Sequence, residues 1–173
     1  MANIVLIGMP GCGKSTVGVL LAKVLGMSFV DTDVVFQAQQ KRKLQDIIDE
    51  IGVDRFLSME EETVAGMEFE RTVIATGGSV VYGVRAMEHL HKDGVVVYIR
   101  LPYKELEKRL SNLATRGVTL RDGQTLYDLY CERIPLYEKH ADIIFDSTGC
   151  EIEATVAGIA SRLKDKMEAE DGH

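Results

Sequence analysis

Residues 3–16 read Asn3-Ile4-Val5-Leu6-Ile7-Gly8-Met9-Pro10-Gly11-Cys12-Gly13-Lys14-Ser15-Thr16. The run from Asn3 to Ile7 is short and almost wholly apolar, as expected of a strand buried on both faces of a parallel sheet. Gly8 to Ser15 then fits Gly-x-x-x-x-Gly-Lys-Ser, the loop whose backbone N–H groups cradle phosphates. Beyond it, Val17, Leu20, Leu21, Val24 and Leu25 recur at helical spacing, and Gly26 supplies a stop. Strand, glycine loop and helix thus follow in the order the motif requires. The glycines let successive N–H groups turn onto the β- and γ-phosphates, and the helix N-terminus adds a favourable dipole. On this reading Gly11, Cys12, Gly13, Lys14, Ser15 and Thr16 form the ATP cradle. Lys14 bridges the β- and γ-phosphates and the Ser15 hydroxyl ligates Mg²⁺.

Outward from this loop, apolar strands are predicted at 28–30, 72–76, 95–99 and 143–145. Helical patterning fills about 44–51, 54–69, 85–91, 103–110, 125–139 and 151–167. The alternation predicts a three-layer α/β fold of the P-loop kinase type: a five-stranded, mostly parallel sheet with helices on both faces and the active residues at the carboxyl ends of its strands. Two stretches break the pattern. Residues 112–123 carry Arg116, Gly117, Arg121, Asp122 and Gly123 with little apolar periodicity, as a lid would. The polar tail from about Glu168 reads as frayed.

The remaining bounds come from composition. A chain of 173 residues, 46% hydrophobic and 27% charged, has room for one filled core, so residues 1–173 are expected to form a single domain. A net charge of −7 with no basic block argues against nucleic-acid or anionic-membrane partners. It leaves a small-molecule substrate, with the few cations gathered around its phosphates. Cys12, Cys131 and Cys150 lie too far apart for a disulfide framework or a metal motif, which fits a reducing cytoplasm. There is no basic leader, and no apolar run approaches the roughly 18 residues of a membrane span. His89 and His91 point to different sides of their helix and cannot share a metal. The base-reading Asn-Lys-x-Asp of switch GTPases is absent from the sequence. A small-molecule kinase needs only the loop, an acceptor pocket and a lid that excludes water.

On the acceptor side, Asp31-Thr32-Asp33 follows the second strand, at the same end of the sheet as the phosphate loop. One carboxylate could hold Mg²⁺ and the other could orient or deprotonate an acceptor hydroxyl. An Asx cap on the next helix is an equally good reading of either aspartate. Thr76-Gly77-Gly78-Ser79 follows the third strand, as a backbone that a ligand approaches closely or simply as a tight turn.

Together, Gly-x-Pro-Gly-x-Gly-Lys-Ser-Thr, Asp-Thr-Asp, Gly-Gly and Arg133-Ile-Pro-Leu-Tyr137 resemble the shikimate kinase family along nearly the whole chain. The resemblance implies ATP as donor, shikimate or a related hydroxy acid as acceptor, and a monomer. It gives Asp31 to Mg²⁺ and makes Asp33 the acceptor-binding base. Gly77 and Gly78 become the pocket lining, Arg133 the contact to the acceptor carboxylate, Arg116 the lid arginine over phosphate and acceptor, and Arg109 the arginine against adenine. Without the resemblance, Arg109 and Arg133 would read as solvated helix arginines. The chain departs from the family in three places. Phe56-Leu57 stands for Phe-Arg, whose arginine pairs with the substrate carboxylate, Ser79 stands for the third pocket glycine, and Arg116-Gly117-Val118-Thr119 for Arg-Pro-Leu-Leu. Arg55 faces about 160° away from position 57 on a helix and is a poor stand-in. Gluconate-kinase-like or nucleoside-monophosphate-kinase-like transfer is the alternative within this enzyme class. A degenerate ATP-binding regulatory module is the alternative outside it.

Overall fold

A computed structural model describes residues 2–111 and 117–171. Strand β1 (Asn3–Ile7) is followed by helix α1 (Lys14–Leu25), β2 (Ser28–Asp31), α2 (Thr32–Gln40), α3 (Leu44–Ile51), α4 (Val53–Ala65) and β3 (Thr72–Ala75). After a 3₁₀ turn at Val80–Tyr82 come α5 (Val84–Lys92), β4 (Gly94–Arg100), α6 (Tyr103–Ser111), α7 (Leu126–His140), β5 (Ile143–Asp146) and α8 (Ile152–Asp171).

The five strands pair in parallel in the order β2-β3-β1-β4-β5. Parallel strands need crossovers, and the intervening helices supply them. β1 is the central strand, and all five of its residues are buried, which requires cover on both faces. α1 and α8 pack together, with α1 against β1, β2 and β3, while α5 and α7 pack against β4. The chain leaves β1 toward β2, returns to β3 beside β1, and crosses to β4 on the other side. This reversal opens a crevice at the carboxyl end of β1, where such sheets bind ligands.

The main core runs from β1 and α1 through β3, α5, β4 and α7 to Leu163 of α8. Phe36, Ile47, Ile48 and Phe56, from α2, α3 and α4, form a separate small cluster, with Leu44, Leu57 and Met59 packed on it. The sheet matches its sequence reading almost strand for strand. Helix α2, implied only by the Asx-cap reading and missing from the predicted helical segments, has only Phe36 and Thr32 on its buried side, too few to show a periodicity. α4 stops at Ala65, where Gly66 caps it, short of the predicted end near Phe69. α8 stays helical to Asp171, past the predicted start of the frayed tail. Of the predicted lid, residues 112–116, and with them Arg116, lie outside the described residues. Residues 117–123 are non-helical. Among the described residues no helix is long and apolar enough to cross a membrane.

Candidate active site

The phosphate loop joins β1 to α1 at the crevice. Gly13, the residue that caps α1, sits at φ 98°, a left-handed conformation glycine takes without strain. No side chain caps α1 and its first turn carries no acid, so its leading N–H groups are left for an anion. Lys14 is buried, and its Nζ donates to the carbonyls of Gly8 at 2.8 Å and Met9 at 3.0 Å. Cys12 is buried under the loop, while Ser15 and Thr16 face outward. Arg109 reaches from α6, and its Nη1 donates to the Gly11 carbonyl at 3.2 Å, so its guanidinium lies over the loop from the side.

Asp31 caps α2 with one oxygen and meets Ser15 with the other. Its Oδ1 accepts from the N–H groups of Asp33 at 3.0 Å and Val34 at 3.2 Å, which caps α2. Its Oδ2 accepts from Ser15 Oγ at 2.5 Å. A carboxylate and a hydroxyl that already touch, beside the phosphate loop, are an oxygen-donor set suited to Mg²⁺. Asp33 lies deeper in the cleft. Burial, then the Asp31 charge, push its carboxyl up to about 6, against the opposing pull of Lys14.

The Gly77-Gly78 backbone passes between these groups with no space to spare. A Cβ on Gly77 would lie 2.5 Å from Glu60 Oε1 and 2.6 Å from Asp33 Oδ1. On Gly78 it would lie 2.8 Å from both Arg133 Nη1 and Pro10 Cδ. Glycine at 77 and 78 is what allows the two walls of the cleft to meet. Arg133 is only 1% exposed, which overturns its reading as a solvated helix arginine. Its Nη2 donates to Thr119 Oγ1, its Nε to the Tyr82 hydroxyl at 3.4 Å, and its Cζ lies 5.4 Å from the centre of the Tyr82 ring. One turn along α7, the Tyr137 hydroxyl donates to the Gly78 carbonyl at 2.6 Å, which ties α7 to the pocket loop.

Sequence reasoning missed Glu60. It lies in the buried stripe Phe56, Glu60, Val64 of α4, and a carboxylate at that spacing among apolar residues was the available signal. Its Oε2 accepts from Ser79 Oγ at 2.6 Å, while the buried Oε1 has no hydrogen-bond partner among the described residues. Burial, chiefly, raises this carboxyl to about 7. The Ser79 hydrogen bond opposes the rise, the Asp33 charge adds to it, and Arg133 and Lys14 oppose it. Thr119 and Tyr82, which hold Arg133, also escaped the sequence reading.

One cleft therefore joins a phosphate loop, two carboxyls of raised affinity for protons and a buried arginine. The family model described as shikimate kinase matches residues 10–164. The chain belongs to the shikimate kinase family. The shikimate kinase of Thermodesulfovibrio yellowstonii is 39% identical over 152 residues, covering 86% of this chain and 87% of the relative. That of Clostridium botulinum strain Eklund 17B is 35% identical over 162 residues, covering 91% and 96%. Among solved structures, the Acinetobacter baumannii shikimate kinase in complex with shikimate superposes with a TM-score of 0.81 at 26% identity, covering 98% of this chain and 94% of that one. The Aquifex aeolicus shikimate kinase gives 0.81 at 30% identity, covering 95% and 98%. A Sinorhizobium meliloti gluconokinase, at 17% identity and a TM-score of 0.54, shares the fold alone. Within this family frame, the departure at Leu57 has a structural place: its side chain is half-buried against the Phe36–Phe56 cluster and carries no charge into the pocket.

Proposed function

We propose that this chain transfers the γ-phosphoryl group of ATP to the 3-hydroxyl of shikimate. The observation that carries the reading is Arg133, a cation almost wholly withdrawn from water that sits against Gly78 in the same cleft as Lys14 and Asp33. A buried guanidinium is costly unless something negative repays it. Among the described residues its side-chain partners are Thr119, Tyr82 and Tyr137, none of them a full negative charge. A ligand carboxylate is the complement, and a hydroxy acid held by it would present a hydroxyl to Asp33.

In this mechanism Lys14 turns from the loop carbonyls to the phosphates and neutralises the charge that develops on the transferring group. Asp33 orients the acceptor hydroxyl and takes its proton as the new O–P bond forms and the bond from the γ-phosphorus to the β,γ-bridging oxygen breaks, releasing ADP. Ser15 and Asp31 would hold Mg²⁺, which when bound offsets the phosphate charge. Arg109 covers the nucleotide side, Gly77 and Gly78 admit the acceptor, and Arg116 stays assigned to the closing lid. The chain is read as a cytoplasmic monomer, in keeping with its three free thiols. The test is kcat/KM for shikimate against gluconate, quinate and nucleoside monophosphates. Shikimate is expected to lead. Clear turnover of another member with none of shikimate would refute the assignment and leave a kinase of different acceptor.

A further inference from the structure

The family resemblance implies an arginine at position 57 for the acceptor carboxylate, and this chain has Leu57. We infer that Arg121 delivers the missing cation from the opposite wall of the cleft, and that it is an acceptor-binding residue of this enzyme. The inference rests on the shikimate reading, because it concerns the carboxylate of that acceptor.

Arg121 Nη2 lies 2.7 Å from Asp54 Oδ1. Asp54 and Leu57 are three residues apart on α4, so they share a face and lie one turn from each other. The guanidinium is therefore parked beside the place where a side chain at 57 would carry its charge. Residues 117–121 have no helical structure, and the Leu120 N–H donates to the Val118 carbonyl at 2.9 Å, a tight turn with Thr119 at its apex. Thr119 Oγ1 accepts from Arg133 Nη2, so this turn sits over the pocket arginine and Arg121 follows two residues after it. Leu120, between them, is exposed at 39%. Gly117 sits against Leu44 of α3, which sets the whole segment across the wall made by α3 and α4.

A polar chain ties Arg121 to the same centre. Its N–H donates to Gln124 Oε1, Gln124 Nε2 donates to Glu132 Oε2, and Glu132 Oε1 accepts from the Tyr82 hydroxyl that also takes Arg133 Nε. Asp54 chiefly, with Glu132 and Tyr82 adding, favours the charged guanidinium. The ion pair itself is open, with side chains 51% and 82% exposed, and such pairs hold little. A carboxylate offered by a bound acceptor can take the guanidinium from Asp54 and receive it bidentately, while Arg133 holds the carboxylate from beneath. Arg55 is exposed and lies on a different face of α4 from Leu57.

The experiment compares shikimate with its carboxamide, which keeps the hydroxyls and loses the charge, on the parent and three variants. Arg121→Met keeps the apolar stem and is expected to raise the shikimate KM about ten- to a hundredfold. KM for ATP and kcat at saturation should change little, as should the KM of the carboxamide. Adding Leu57→Arg to Arg121→Met should restore the preference for the carboxylate, which a merely structural arginine could not explain. Asp54→Asn, which releases Arg121, should leave the shikimate KM equal or lower. If the parent turns over shikimate and Arg121→Met keeps the parent's preference for carboxylate over carboxamide, the role of Arg121 is refuted and the function stands. If the parent does not turn over shikimate, both fall.

Discussion

Glu60→Gln tests the electrostatics of the cleft through stability, independently of any substrate. The substitution keeps the size of the side chain and an oxygen for the Ser79 hydroxyl, but removes the titration. The Glu60 carboxyl is raised from 4.5 to about 7, chiefly by burial, so the folded state binds its proton more tightly than the unfolded chain. The stability this gives is complete below the ordinary value of 4.5 and is lost as pH rises through about 7. The difference between the two values corresponds to ~3 kcal/mol. Relative to the parent, Glu60→Gln is therefore expected to gain ~3 kcal/mol between acid and mildly alkaline pH, or about 6–12 °C in Tm for a chain of this size. Any cost of burying the amide is independent of pH and drops out of the comparison. Urea denaturation of both proteins from about pH 4 to about pH 8 measures the effect. A stability difference that stays constant across that range would show that Glu60 is not held in a cleft that resists its charge.

Lys14→Ala should reduce phosphoryl transfer by ~10³-fold or more while urea unfolding stays close to the parent's, because the lost charge acts on the transition state. Transfer within tenfold of the parent would contradict the kinase mechanism. Asp33→Asn should lower kcat with ATP affinity nearly unchanged, and Asp31→Asn should instead raise the Mg²⁺ concentration needed for half-maximal rate. An Asp33 variant that lost ATP binding would reverse the two assignments. Gly78→Ala should collide with Arg133 and Pro10, cost ~1–3 kcal/mol of stability, and raise the acceptor KM more than the ATP KM. Unchanged kinetics by initial-rate assay would mean the loop yields without moving Arg133.

How far the sequence could be read depended on how local the physics was. Strand β1, the glycine loop and α1 could be read because the run of apolar residues, the glycines and the helical spacing all act within a few residues of each other. The parallel sheet followed from the alternation of elements. The place of the glycine loop between β1 and α1 followed with it, since the loop's glycines and lysine stand at fixed spacing between those two elements. That Asp31 caps α2 was legible as a possibility, and only the folded chain shows that its second oxygen meets Ser15 of α1. Other features were settled by packing between segments far apart in the chain. Arg133 looks like any helix arginine until α7 lies against the Gly77-Gly78 loop and Thr119 closes over it. Glu60 looks like one acid among several until Ser79 takes one of its oxygens and burial isolates the other. The same holds for Arg121, which stands 67 residues from the Asp54 it touches. Local pattern determined the fold and the donor side, because each signal there is carried by neighbouring residues. The charge arrangement on the acceptor side belongs to the tertiary structure, because desolvation and Coulomb energy depend on which distant groups meet, and only the folded chain brings them together.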